Sequence, residues 1–321
     1  MSKTPPVNFV RISEEGPREG FQSHPPGIPT SAKVELIEAL AEAGLTEIAC
    51  CSFVSQTQVP QMADAEQIVA SIRRRPDVRY TGLWLNSRGF ARATARGVDL
   101  RPTLVTSASE TFGLRNNQRD RKHLLDGQRE LAVAYRASGL SSAMGYVFTA
   151  FGCNYEGAIS ALQVVSSVGD IVAVAQESGV SLEAVYLCDT IGSATPGSVR
   201  VALDAVREAH PGLELALHLH DTRGLALANA LVGLRSGVRR FDASIAGLGG
   251  CPFAGNTAAA GNICTEDLAY LCEVEGLDTG VDLDQLIRCG MLAERIVGRP
   301  LPGKLKNSGH FRRHRAEALA A

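Results

Sequence analysis

The sequence has no surplus of charge of either sign. Its 32 Lys and Arg nearly balance 34 Asp and Glu, for a formal net charge of -2 and a pI of about 6.4. Such a chain has no field with which to grip nucleic acid or an anionic membrane surface. Its basic clusters, Arg73-Arg74-Arg75 and Arg312-Arg313-His314-Arg315, are expected on a solvated surface and a polar tail. Apolar runs are short, and none approaches the roughly 18 residues of a membrane helix. Residues 1–7 lack the apolar core of a secretory signal, so a cytoplasmic location is expected. The eight cysteines show no CxxC spacing. That argues against a disulfide framework or a thiolate zinc site and for reduced, mostly buried thiols. No internal repeat, low-complexity linker or composition break marks a domain boundary.

What is present is alternation. Candidate strands at residues 9–14, 47–51, 80–84, 103–106, 142–149, 184–188, 214–219 and 240–245 alternate with helical patterns. Helices are expected at 31–43, 63–73, 119–137, 155–178, 196–209, 225–236 and 265–275. This order describes a parallel barrel or a doubly wound sheet. The count of eight, and polar residues at the C-terminal ends of many different strands, favour an α/β fold of the (β/α)8 TIM-barrel type. The barrel is expected over residues 1–290, with a short C-terminal helical extension and tail over 291–321. Ser31, after the turn His24-Pro25-Pro26-Gly27, is expected to cap the first helix. Gly44, Gly97, Gly139, Gly179 and Gly237 each close a helical pattern before a strand.

The sharpest chemical signal is Leu215-Ala216-Leu217-His218-Leu219-His220-Asp221. Residues i and i+2 of a strand face the same side, so both imidazoles can converge on one ion. After the first strand, Gly16-Pro17-Arg18-Glu19-Gly20-Phe21-Gln22 offers a carboxylate, Glu19, to complete a mixed shell suited to Mg2+ or Mn2+. Its Arg18 is placed to stabilise a developing anion. Asp189 and Thr190 end the sixth strand and point into a barrel mouth; the plainer reading of Asp189 is a helix cap. The glycine-rich run from Gly247 to Asn256 suits a loop folding over a ligand, with Cys251 as a candidate acid or base. Asn262, just beyond, is a candidate oxygen ligand or a turn residue.

These motifs together resemble the 3-hydroxy-3-methylglutaryl-CoA (HMG-CoA) lyase family, from about residue 7 to residue 286. The resemblance includes Ser52-Phe53-Val54-Ser55, Val59-Pro60-Gln61-Met62, Tyr155-Glu156-Gly157, Asp189-Thr190-Ile191-Gly192 and the block around Cys251. It implies a metal-dependent barrel that cleaves a 3-hydroxy-acyl-CoA to acetyl-CoA and a keto acid by retro-Claisen chemistry. It also implies that Glu19, His218, His220 and Asn262 hold the divalent ion and that Arg18 stabilises the enolate. Gln22, Ser52, Asp189 and Thr190 would surround the substrate, and Cys251 would take part in proton transfer. Asp189 and His218 are both candidates for the base. An acyl-CoA substrate and a homodimer are the expected partners, with no nucleic acid and no membrane.

Three departures stand out. The family usually carries Asp where this chain has Glu19, and a site glutamate where it has Ala49. The loop before Asn262 is longer by about two residues, around Gly255-Asn256-Thr257. The loss at Ala49 is expected to make room and to remove a negative charge, so the substrate is HMG-CoA or a close analogue such as citramalyl-CoA. The rival readings are a Claisen-condensing synthase on the same fold and a metal-binding barrel without activity. The Gly247–Pro252 block, without a regulatory domain after the barrel, argues against the first. Intact Arg18, His218, His220 and Cys251 argue against the second.

Overall fold

A computed structural model describes residues 8–250 and 259–311. Cys251, the extra loop residues and the Arg312 cluster lie outside the described residues. All eight expected strands form: β1 Arg11–Glu14, β2 Glu47–Ser52, β3 Arg79–Leu83, β4 Thr103–Ser107, β5 Ser142–Phe148, β6 Ser181–Cys188, β7 Leu215–His218 and β8 Arg240–Ala243. Their ladders are parallel and run in the order β3-β2-β1-β8-β7-β6-β5-β4. The sheet thus wraps into a barrel whose two edges, β3 and β4, carry no ladder between them.

The α-helices of the described residues are α1 Thr30–Glu42, α2 Ala65–Ser71, α3 Ser87–Arg96, α4 Glu110–Asn117, α5 Arg121–Ala137, α6 Ala161–Glu177, α7 Pro196–Ala209, α8 Ala226–Arg235, α9 Thr265–Val274, α10 Leu283–Val297 and the short α11 Leu305–Ser308. The expected division at residue 290 falls inside α10, which is continuous there. None of the described helices is long and apolar enough to cross a membrane.

Side-chain parity explains the two packed layers. Outward residues such as Val185, Leu187 and Leu217 join the helices in one large apolar core. Inward residues Met144, Ala184, Tyr186, Cys188 and Ala216 form a second, smaller cluster within the barrel. The period of two that places Ala216 inward places His218 inward as well.

Several local expectations change. Ser31 does not cap α1: the helix starts at Thr30, and Pro29 at its N-cap position offers no side-chain acceptor. The hydroxyl of Thr30 is turned instead to Asp64 (2.8 Å). Gly157, at φ +74°, ends the expected reach of α6 toward residue 155. The helix begins after Ser160, which exchanges hydrogen bonds with Gln163 in a capping box. Helices α3 and α4 were not anticipated, because their polar character hides the apolar stripe. The five expected closing glycines all adopt positive φ. Arg73, Arg74 and Arg75 pair with Glu38, Asp99 and Asp77 at the surface.

Candidate metal and acyl-CoA site

The segment after β1 is one wide helical turn, Gly16–Gly20. Glu19 N–H reaches back to Glu15 O (2.7 Å), and Gly20 N–H reaches the same oxygen from five residues on (3.4 Å). Wide turns of this kind re-aim side chains and recur at functional sites. Glycine is required at position 20, where a Cβ would sit 2.7 Å from Leu248 Cγ. The turn therefore packs against the Gly247–Gly250 loop while Arg18 and Glu19 enter the barrel mouth.

His218 ends β7, and His220 follows in a single bridge to Asn262. Their Nε2 atoms stand 3.3 Å apart. Glu19 Oε1 lies 3.9 Å from the first and 3.8 Å from the second. A point equidistant from these three atoms is about 2.1 Å from each, the ligand distance of a small divalent cation. Asn262 Nδ2 donates to Glu19 Oε1 (3.0 Å). Its Oδ1 is buried with no hydrogen-bond partner among the described residues. An orphaned amide oxygen beside a carboxylate and two imidazoles fits a hard cation that would take it as a ligand.

Burial alone would push the Glu19 carboxyl up. The Arg18 guanidinium and the two nearby imidazoles outweigh it and hold the group well below the usual carboxylate range. Glu19 is thus ionised, as a ligand must be. A second cluster, Cys264, Glu266 and Asp267, is also close-knit. Asp267 is spent on the backbone N–H groups of Lys304 and Leu305, and Glu266 on that of Ala246, so it ties the chain together.

Asp242, on β8, escaped the sequence reading. Its Oδ2 accepts from His218 Nδ1 (3.0 Å) and is almost wholly buried. The carboxylate fixes the proton on Nδ1 and leaves the Nε2 lone pair facing His220 and Glu19. A lone acid at an inward position of a strand, between Phe241 and Ala243, was the available signal. Asp242→Asn is expected to weaken Mn2+ binding by about 10–100-fold in a calorimetric titration; unchanged affinity would contradict this orienting role.

Glu15 also escaped notice. It is buried, accepts from Arg18 Nε (3.0 Å) and makes a second, closer contact with Arg18 Nη2. Glu14 stands opposite Ile48, so Glu15 is beside Ala49, and both line the same cavity. A carboxylate nonetheless lines the cavity one strand over from Ala49, locked to Arg18. Burial pushes Glu15 up, with Arg18 pulling against it.

One cavity of about 430 Å³ gathers Arg18, Glu19, Gln22, Thr190, His218 and His220. Gly250, the last described residue before Cys251, lines it too. Ser52 and Asp189 do not line it. Ser52 donates to Gln22 Oε1 (3.2 Å) from behind. Asp189 Oδ1 accepts from the N–H groups of Ser193 (2.7 Å) and Ala194 (3.0 Å), as a loop cap does. Its Oδ2 is buried without a hydrogen-bond partner among the described residues.

The family model described as HMGL-like matches residues 9–292. The chain belongs to the HMGL-like family. It is 39% identical over 296 residues to the mitochondrial hydroxymethylglutaryl-CoA lyase of Bos taurus, covering 92% of this chain and 88% of that protein. It is 38% identical to the cytoplasmic 3-hydroxy-3-methylglutaryl-CoA lyase of Mus musculus, covering 92% and 84%. Among solved structures, the hydroxymethylglutaryl-CoA lyase of Pseudomonas aeruginosa superposes with a TM-score of 0.86 at 36% identity, covering 94% of this chain and 97% of that one. An HMG-CoA lyase from Acinetobacter baumannii, solved with coenzyme A and 3-methylmalate, gives 0.84 at 36% identity, covering 96% and 97%. The resemblance read from the motifs is borne out, and so is the barrel.

Proposed function

We infer that the protein is a metal-dependent acyl-CoA lyase that cleaves HMG-CoA or a 3-hydroxy-3-substituted analogue to acetyl-CoA and a keto acid. The observation that carries this reading is the convergence of Glu19, His218 and His220 beside the half-buried Arg18 in one cavity, in a chain of this family. A divalent ion, Mg2+ or Mn2+, held by Glu19, His218, His220 and Asn262, would supply Lewis acidity to the substrate oxygens.

The chain's own groups divide the remaining work. The proton on the C3 hydroxyl must leave as the C2–C3 bond breaks and C3 becomes a ketone. The candidate base that remains is Asp189, whose Oδ2 sits just outside the cavity lining, within the field of His220 and His218. That oxygen has no hydrogen-bond partner among the described residues, and burial raises the pKa of the carboxyl. His218 is excluded from that role because one ring nitrogen is held by Asp242 and the other faces Glu19 and His220. The electron pair of the broken bond passes to the acetyl-CoA enolate, which Arg18 stabilises. Gln22 and Thr190 line the cavity around the acyl group, with Ser52 steadying Gln22. Cys251 returns a proton to C2; this role rests on the resemblance and on Gly250 at the cavity wall. The reaction is redox-neutral. A cytoplasmic homodimer completes the reading.

Purified protein with Mn2+ is expected to release acetyl-CoA from HMG-CoA or an analogue with another group at C3. A panel of such thioesters that yields no acetyl-CoA refutes the lyase reading.

A further inference from the structure

The unpaired edges of the barrel are held apart by side chains. On β4 the backbone groups facing β3 have partners from α5: Val105 N–H donates to Gln128 Oε1 (2.9 Å), and Thr103 O accepts from the Tyr135 hydroxyl (3.2 Å). Tyr135 in turn accepts from Trp84 Nε1 (2.7 Å). On β3, Asp99 satisfies both backbone groups of Tyr80, at 2.7 and 2.9 Å. Backbone groups at a buried edge need partners, and here they find them without a β3–β4 ladder. The gap is therefore a stable feature of the fold.

The cavity that holds Glu19, His218 and His220 continues into this gap as far as Gln128 and Leu131 of α5. Its walls are mostly apolar, from Ala49, Trp84, Val105, Phe112, Leu131 and Phe148, with Thr81, Thr103 and Asn116 among them. The nearby cations are already engaged. Arg101 meets Glu47 (2.7 Å) and the Tyr186 hydroxyl (3.0 Å), and Arg18 meets Glu15 and Glu19. A second carboxylate entering the gap would find no cation among the described residues there that lacks a carboxylate partner. A hydrocarbon would find six apolar walls.

We propose that the chamber between β3 and β4 binds the hydrocarbon substituent at C3 of the 3-hydroxy-acyl-CoA, and that it takes an alkyl chain several carbons longer than methyl. This rests on the lyase reading. Hydrophobic pockets discriminate by about tenfold or more per methylene that fits.

The test is kcat/KM of the Mn2+-loaded full chain on glutaryl-CoA thioesters bearing a 3-hydroxyl and a methyl, n-butyl or n-hexyl group at C3, read by acetyl-CoA release. The butyl or hexyl compound is expected to exceed the methyl compound by about tenfold. Preference for methyl overturns the chamber and leaves the lyase standing. Cleavage of none removes the lyase reading and the inference with it. In Leu131→Phe, which narrows the chamber from α5, the butyl-to-methyl ratio is expected to fall about tenfold. If thermal melting shows that variant unfolded, Val105→Leu makes the same test with one added methylene. An unchanged ratio in the folded variant overturns the proposal.

Discussion

Arg18→Ala is expected to lower kcat by about 10²–10³ while Mn2+ remains bound, the loss typical of removing one fixed stabiliser of a developing oxyanion. The guanidinium is pre-set before any substrate arrives. Glu15 grips it through Nε and Nη2, and Glu19 approaches Nη1 at 3.0 Å. Side-chain freedom is thus lost on folding, so little reorganisation remains for the moment of reaction. The two carboxylates also spread their charge around Arg18, and Glu19 belongs to the metal trio. Arg18→Ala frees Glu19 from its strongest electrostatic partner without removing a ligand atom. The measurement is therefore double: steady-state kinetics for the chemical step and calorimetry for the metal. Near-normal kcat would refute the role of Arg18. Loss of Mn2+ together with activity would mean that the residue serves the metal site instead.

His220→Ala is expected to abolish tight Mn2+ binding and to lower activity by roughly 10³-fold or more, because such an ion contributes several kcal/mol of charge stabilisation. His220 is almost fully buried and sits in the bridge to Asn262. Its Nε2 closes two edges of the ligand triangle, to His218 at 3.3 Å and to Glu19 at 3.8 Å. Without it the remaining pair spans 3.9 Å, and Asn262 Oδ1 is the only other proposed ligand. Metal titration by calorimetry gives the direct readout. Circular dichroism separates ligand loss from unfolding. A folded variant that keeps wild-type Mn2+ affinity would remove His220 from the ligand set.

The sequence by itself determined much of the fold and the poles of the site. The alternation of β-rich runs with helical patterns placed all eight strands, because burial on both faces writes parallel strands as short apolar runs. The spacing of His218 and His220 carried their convergence, because the strand period of two is a local property of the chain. The Gly16–Gly20 segment advertised Arg18 and Glu19 in the same way.

Tertiary structure decided what depends on residues distant in sequence. Asp242 orients His218 across 24 positions, and no local pattern links them. Nothing in the local sequence singles out Glu15; only the neighbouring strand reveals it as the carboxylate next to Ala49, paired to Arg18. Asp189 read as a site residue with a helix cap as the plainer alternative, and the fold gives its two oxygens different surroundings, one of them capping a loop. The gap between β3 and β4 was the least legible feature. It arises because side chains of α5 and the side chain of Asp99 satisfy edge groups that a ladder would otherwise pair. Periodicity reports which way a side chain faces, whereas the partner it meets is set by how the strands close around one another.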